Sequence, residues 1–203
     1  MDWYHYFPLI VLGLVFFLIA FRQIGTLTLA IWQIMLGGAL LVLLSGAISP
    51  WNALLAINLD VMLFLFGMFL IGSALEESGY LAHLSYHYFK KAKNLDLLLL
   101  FVLFAFGIGS AILMNDTIAI IGTPIMLLLA KTHNIKPKVL LLALAFAVTI
   151  GSVMSPIGNP QNLLIALETK MEKPFLVFLQ YLLVPTLLNL LVAYLLLRFF
   201  YKD

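Results

Sequence analysis

The stretch LDLLLLFVLFAFGIGSAILMNDTIAIIGTPIMLLLA, residues 95–130, decides how this chain folds. It is apolar on both sides of a central Asn115-Asp116-Thr117, with one arm before that triplet and a shorter one after it. An α-helix needs about 20 apolar residues to cross the ~30 Å of bilayer hydrocarbon. The first arm reaches that length and the second does not, so the pair predicts a re-entrant helical hairpin that enters the bilayer and returns to its own side. Lys131, Lys136 and Lys138 then bring the chain back to water.

The composition agrees with a lipid environment. Of 203 residues, 64% are hydrophobic and 10% charged, and the mean hydropathy is +1.13. Soluble domains carry about 25% charged residues, so this chain lacks the polar surface to cover itself in water. Cys is absent, which excludes disulfides, thiolate metal sites and Fe–S clusters. A net charge of +2 is too small and too dispersed for nucleic acid.

Working outward from the hairpin, apolar runs occupy residues 7–21, 27–44, 53–75, 139–150 and 175–200. They are apolar all round rather than alternating, so they read as helices and not as barrel strands. Residues 139–168 are interrupted by GSVMSPIGNPQN, residues 151–162, whose two prolines and two glycines predict a span broken near its centre. Residues 78–94 read as an interfacial amphipathic helix, with Tyr80, Leu81, Leu84 and Tyr88 near one face and Lys90, Lys91 and Lys93 at its end. The expected layout is one all-α transmembrane domain over residues 1–203. It has three helices within 7–77, the interfacial helix, the hairpin, the broken helix and a last helix over 174–200, with about five crossings. Gly37-Gly38 and Gly107-Ile108-Gly109-Ser110 read as close-packing points, the second between the hairpin arms.

This layout sorts the basic residues. Arg22, Lys90, Lys91, Lys93, Lys131, Lys136, Lys138, Arg198 and Lys202 fall on one face, and Lys170 and Lys173 on the other. The positive-inside rule makes the first face cytoplasmic, with the N-terminus outside and the C-terminus inside a plasma membrane. An odd number of crossings puts the termini on opposite sides, the geometry of one unit of an inverted-repeat transporter. Trp3, Tyr4, Tyr6 and Trp51 suit an aromatic belt on the outer face.

Asp116 is the costliest residue in this arrangement, because an unpaired carboxylate loses several kcal/mol in hydrocarbon. Beside it, Asn115 and Thr117 offer the hard oxygens that bind Na⁺ or pass H⁺, and the second arm's first amides can hold an anion. The break adds Ser152, Ser155, Gly158, Asn159, Gln161 and Asn162, donors and acceptors without charge. Pro124, Pro156 and Pro160 are the expected hinges. Asp60 reads as an interface residue, and Glu76 and Glu77 as facing water. His5, His83, His87 and His133 are scattered, so no metal centre is expected beyond a transported cation. An intramembrane aspartyl protease needs a second carboxylate opposite Asp116, and Asp60 lies at the wrong depth.

MNDTIAIIGTPIMLLLA (residues 114–130) and AFAVTIGSVMSPIGNPQNLLIAL (residues 145–167) resemble the paired signatures of the ion transporter superfamily, which holds arsenite permeases, NhaD-type sodium/proton antiporters, citrate permeases and divalent-anion symporters. LFLFGMFLIGSALEESG (residues 63–79) resembles the segment that precedes the amphipathic helix in those permeases. The resemblance places Asn115 on the tip asparagine, Asp116 on its neighbouring threonine, Ser155 on a threonine of the broken-helix loop, and Gly158 and Asn162 on the ends of the second motif. It implies Na⁺ at Asn115, Asp116 and Ser155, with the substrate beside them. The acidic tip is more similar to the arsenite-permease and NhaD-type branch, which brings H⁺ coupling forward.

The expected function is therefore half of a secondary transporter. It moves a small anion, an arsenite-like oxyanion or a carboxylate, with H⁺ or Na⁺ and no other cofactor, and its partners are the lipid bilayer and a second half that completes the site. The alternatives are a non-transporting assembly or regulatory subunit, a fragment of a longer permease, and a Na⁺/H⁺ antiporter.

Overall fold

The computed structural model describes residues 3–21, 23–24, 27–80, 83, 89, 92 and 94–201. The interfacial helix expected at 78–94 falls largely outside these residues, as do Arg22, Lys90, Lys91, Lys93, Lys202 and His87. The chain divides into two compact units, Met1–Leu59 and Asp60–Asp203.

The first unit holds α1 (Trp3–Ala20), the two-residue strands β1 (Gln23–Ile24) and β2 (Leu27–Thr28), α2 (Ile31–Leu44) and α3 (Pro50–Leu55). The helix expected from Leu27 starts instead at Ile31, because Leu27 and Thr28 pair antiparallel with Ile24 and Gln23. The Gln33 side-chain oxygen accepts the Ala30 N–H at 3.0 Å and fixes that start. At 14 residues, α2 is about 21 Å long, short of the hydrocarbon thickness. The run at 53–75 is also divided. Ser49 caps α3 by accepting the Asn52 N–H at 3.2 Å, Pro50 starts the helix, and α3 stops at Leu55. Val15 fills the space that a Cβ on Gly38 would need, so α1 and α2 pack closely there.

α4 (Leu59–Glu77) opens the second unit. It is followed by α5 (Leu95–Leu113), α6 (Asn115–His133), α7 (Pro137–Gly151), a 3₁₀ turn (Ser152–Met154), α8 (Pro160–Glu168) and α9 (Pro174–Phe200). Among the described residues, four stretches are long and apolar enough to cross a membrane: α4, α5, Pro137–Met154 and α9. The chain is a multi-pass membrane protein.

The second hairpin arm is longer than its apolar run. Helical bonding continues through Asn115-Asp116-Thr117 at one end and Lys131-Thr132-His133 at the other, so α6 has 19 residues, as α5 does. Arm length therefore does not separate a dipping hairpin from a crossing one.

Lipid is as apolar as leucine, so helices in it associate through close packing. The core follows that logic. Ile118, Ile121, Ile125 and Leu129 on α6, and Leu140, Ala143, Ala147 and Gly151 on α7, recur at helical spacing and face α5's Leu99, Val102, Leu103 and Phe106. Small residues set the distances. Leu144 Cδ1 lies 2.7 Å from where a Cβ on Gly122 would stand. Gly151 lies against the backbone of Gly107, with no room for a side chain between α5 and α7. Gly109 faces the other arm through Ile118, as the sequence implied, whereas Gly107 packs on α7 and on Leu190 of α9. At one end of this bundle Arg198 Nε reaches Asp96 Oδ1 at 3.4 Å, tying the end of α9 to the start of α5. Both side chains are half exposed, so the pair contributes at most about 1 kcal/mol.

Candidate functional site

The hairpin turns on a single residue. Met114 has φ 69° and ψ 144°, a conformation that costs a non-glycine residue of order 1–3 kcal/mol. Full burial of its side chain anchors it there. Asn115 follows at the start of α6, its Oδ1 accepting the Asp116 N–H at 2.9 Å. The Asn115 N–H itself leaves the hairpin and donates to the Gly158 carbonyl at 2.9 Å. That bond joins the tip to the break.

The break is a tied loop. Asn159 Oδ1 caps α8 by accepting the Asn162 N–H at 2.8 Å, and Asn159 Nδ2 donates to Ser152 Oγ at 3.3 Å. Asn162 Nδ2 reaches three carbonyls, those of Ser152 (3.3 Å), Val153 (3.2 Å) and Ser155 (2.9 Å). Ser155 Oγ accepts the Ile157 N–H at 3.3 Å. Gly158 is required because a Cβ there would run into the Ser152 carbonyl. Pro156 is buried, and Pro160 occupies the first turn of α8. Pro124 sits within α6, which continues through it.

The structure thus brings Asn115, Ser152, Ser155, Gly158, Asn159 and Asn162 together, with Asp116 at the rim. The amides of Asn159 and Asn162, read from the sequence as ligand donors, are engaged in holding the loop. Asn followed by Pro, a helix cap before a first-turn proline, was the signal for the role of Asn159. Asp116 is exposed on α6, one turn before Ile120, which is 55% exposed, and it forms no ion pair among the described residues. Thr117 turns the other way and is buried against Gly72 of α4. No group of three or more His, Asp or Glu suited to a metal ion occurs among the described residues.

Asn162→Leu removes the amide that ties three loop carbonyls to α8, although those of Ser152 and Ser155 also accept the backbone N–H groups of Ser155 and Gly158. A lost intramolecular hydrogen bond costs about 0.5–1.5 kcal/mol net. We expect a lower Tm in detergent and faster amide exchange at Asn115, whose acceptor Gly158 lies in that loop.

The sequence pattern of the citrate transporter family, CitMHS, matches residues 7–203. The chain belongs to that family. This CitMHS chain is 35% identical to the silicon efflux transporter LSI3 of rice over 135 residues, which cover 66% of the chain and 28% of that protein. It is 32% identical over 167 residues to the putative transporter arsB of Dictyostelium discoideum, covering 82% of the chain and 29% of that protein. The inner membrane protein YbiR of Escherichia coli is 32% identical over 117 residues, covering 58% and 31%. The chain thus spans less than a third of the length of these relatives. No solved structure is significantly similar to it. Membership places the CitMHS chain in a family of membrane transporters.

Proposed function

We propose that the chain forms one unit of a secondary transporter, with the Asn115–Asp116 tip and the Ser152–Asn162 break as half of a site inside the bilayer. The observation that carries this reading is the bond from the Asn115 N–H to the Gly158 carbonyl. It sets tip and break at one depth. From its basic start at Lys136 and Lys138, α7 rises about 22 Å over 15 residues before the break, and α8 adds about 13 Å over nine. The sum exceeds the ~30 Å of hydrocarbon, so the break falls within it and the tip with it. The hairpin is then re-entrant by the position of its tip.

The tip and break offer hydroxyls, amides and carbonyls, and one charge, the Asp116 carboxylate. In this reading Asp116 takes the coupling cation, H⁺ or Na⁺. The polar groups beside it take a small oxyanion or carboxylate, whose charge the cation balances. The names of the relatives, a silicon efflux transporter and an arsB-like protein, support a small oxygen-rich solute. The exposed carboxylate, one turn from the exposed Ile120, suits neither lipid nor an apolar neighbour. A second, inverted unit covers that face and completes the site, in a plasma membrane with the basic face inward.

Proteoliposomes of the complete transporter test this reading. Uptake of arsenite, silicic acid or citrate that follows an imposed H⁺ or Na⁺ gradient is expected for at least one solute. Gradient-independent leakage, or no flux of any of them, contradicts it.

A further inference from the structure

A second polar cleft lies on the far side of the tip from the break. The Asn115 N–H points back from the start of α6 to Gly158, while the Thr117 side chain faces Gly72 of α4. Phe69, Gly72, Ser73 and Glu76 recur there at i, i+3, i+4 and i+7, and with Thr117 and Ile120 they line a cavity of about 210 Å³. Gly72 allows the approach. A Cβ on it would stand 2.5 Å from Thr117 Cγ2 and 3.4 Å from Oγ1.

Thr117 is 3% exposed, and its Oγ1 is a buried side-chain polar atom with no hydrogen-bond partner. Three other threonines avoid this. Thr123, Thr132 and Thr169 each donate to the carbonyl four residues back. That route is closed to Thr117, because residue 113 lies before the Met114 turn and outside α6. Among the described residues, the Ser73 hydroxyl has no hydrogen bond and Glu76 no ion pair. Three oxygen-bearing side chains without partners among the described residues therefore share one small cleft with apolar walls.

We propose that this cleft binds an alkali-metal cation, with the Glu76 carboxylate and the Ser73 and Thr117 hydroxyls as ligands. An all-oxygen set with one formal negative charge matches a hard monovalent ion. Against walls of Phe69 and Ile120, a divalent ion would keep an unbalanced charge. The positive end of the α6 dipole is offset by Asp116 in the first turn. Thr117 lines the cleft with its methyl nearer Gly72 than its hydroxyl, and a turn between its two helical χ1 rotamers presents the hydroxyl to the cleft. This site is separate from the tip and break and does not depend on their role.

The test is equilibrium Na⁺ binding to the purified protein, titrated against choline. Wild type and Glu77→Gln should each bind one Na⁺ more per chain than Glu76→Gln or Thr117→Val, and Thr117→Ser should bind as wild type does. Glu76 and Ser73 are exposed, so Glu76→Gln and Ser73→Ala keep the fold and report binding even where Thr117→Val does not fold. Equal stoichiometry and affinity in wild type and Glu76→Gln, or no Na⁺ binding by wild type, overturns the proposal.

Discussion

In the complete transporter, Asp116→Asn is expected to lower gradient-driven flux by about 5- to 150-fold, the range that a coupling free energy of 1–3 kcal/mol spans. The substitution keeps size and hydrogen-bonding capacity and removes the charge, so it isolates the cation's counter-charge. Asp116 is exposed on α6 and its carboxylate has no role in packing, so folding should survive. The backbone N–H that it donates to Asn115 Oδ1 also remains. The result should be a well-folded protein with the remaining flux indifferent to the gradient. Unchanged coupled flux in Asp116→Asn removes Asp116 from the mechanism.

Gly151→Val should be among the most destabilising single changes in the second unit. A Cβ at Gly151 would enter the backbone of Gly107, and backbone cannot rotate away as a side chain can. Overpacking against side chains costs about 1–3 kcal/mol, so a collision between two backbones should exceed that range. α5 and α7 must separate, which opens the interface of Leu99, Val102, Leu140 and Ala147. Because Gly151 leads directly into Ser152, the same change displaces the break. The expected outcome is loss of a monodisperse protein in detergent. Gly67→Ala is the matched control, since nothing lies within 4 Å of a Cβ there, and a helical Gly→Ala change is worth up to about 1 kcal/mol of stability. Equal thermal stability of the two variants contradicts the packing described.

The parts that the sequence made legible are those where chemistry acts locally. Two prolines and two glycines within residues 151–162 cannot continue a helix, and the chain breaks there. Asn115-Asp116-Thr117 interrupts an apolar run, and the turn falls one residue before it, at Met114. The less legible parts depend on distant partners. Leu27 and Thr28 are apolar enough for a helix and pair with Ile24 and Gln23 instead. α6 outruns its apolar stretch because helical bonding does not stop at a polar residue. Asn159 and Asn162 were readable as polar and not as occupied, since the carbonyls that occupy the Asn162 amide lie seven to ten residues earlier in the loop. Thr117 was readable as polar, but its turn toward Gly72 of α4 was not, any more than the bond from Asn115 to Gly158.

The depth of the hairpin tip tests the account most directly. Because the chain has no Cys, single cysteines at Ile112, Val153 and Lys173 can each carry a nitroxide, and the ratio of oxygen to nickel-complex accessibility reports its depth in a bilayer. Ile112 and Val153 are exposed on the chain, at 60% and 40%, so labels there leave the core intact. The account predicts that labels at 112 and 153 lie at similar depths within the hydrocarbon, both deeper than the label at 173. A label at 112 level with the one at 173, among the headgroups, would mean that the hairpin crosses the membrane and that its tip is not part of an internal site.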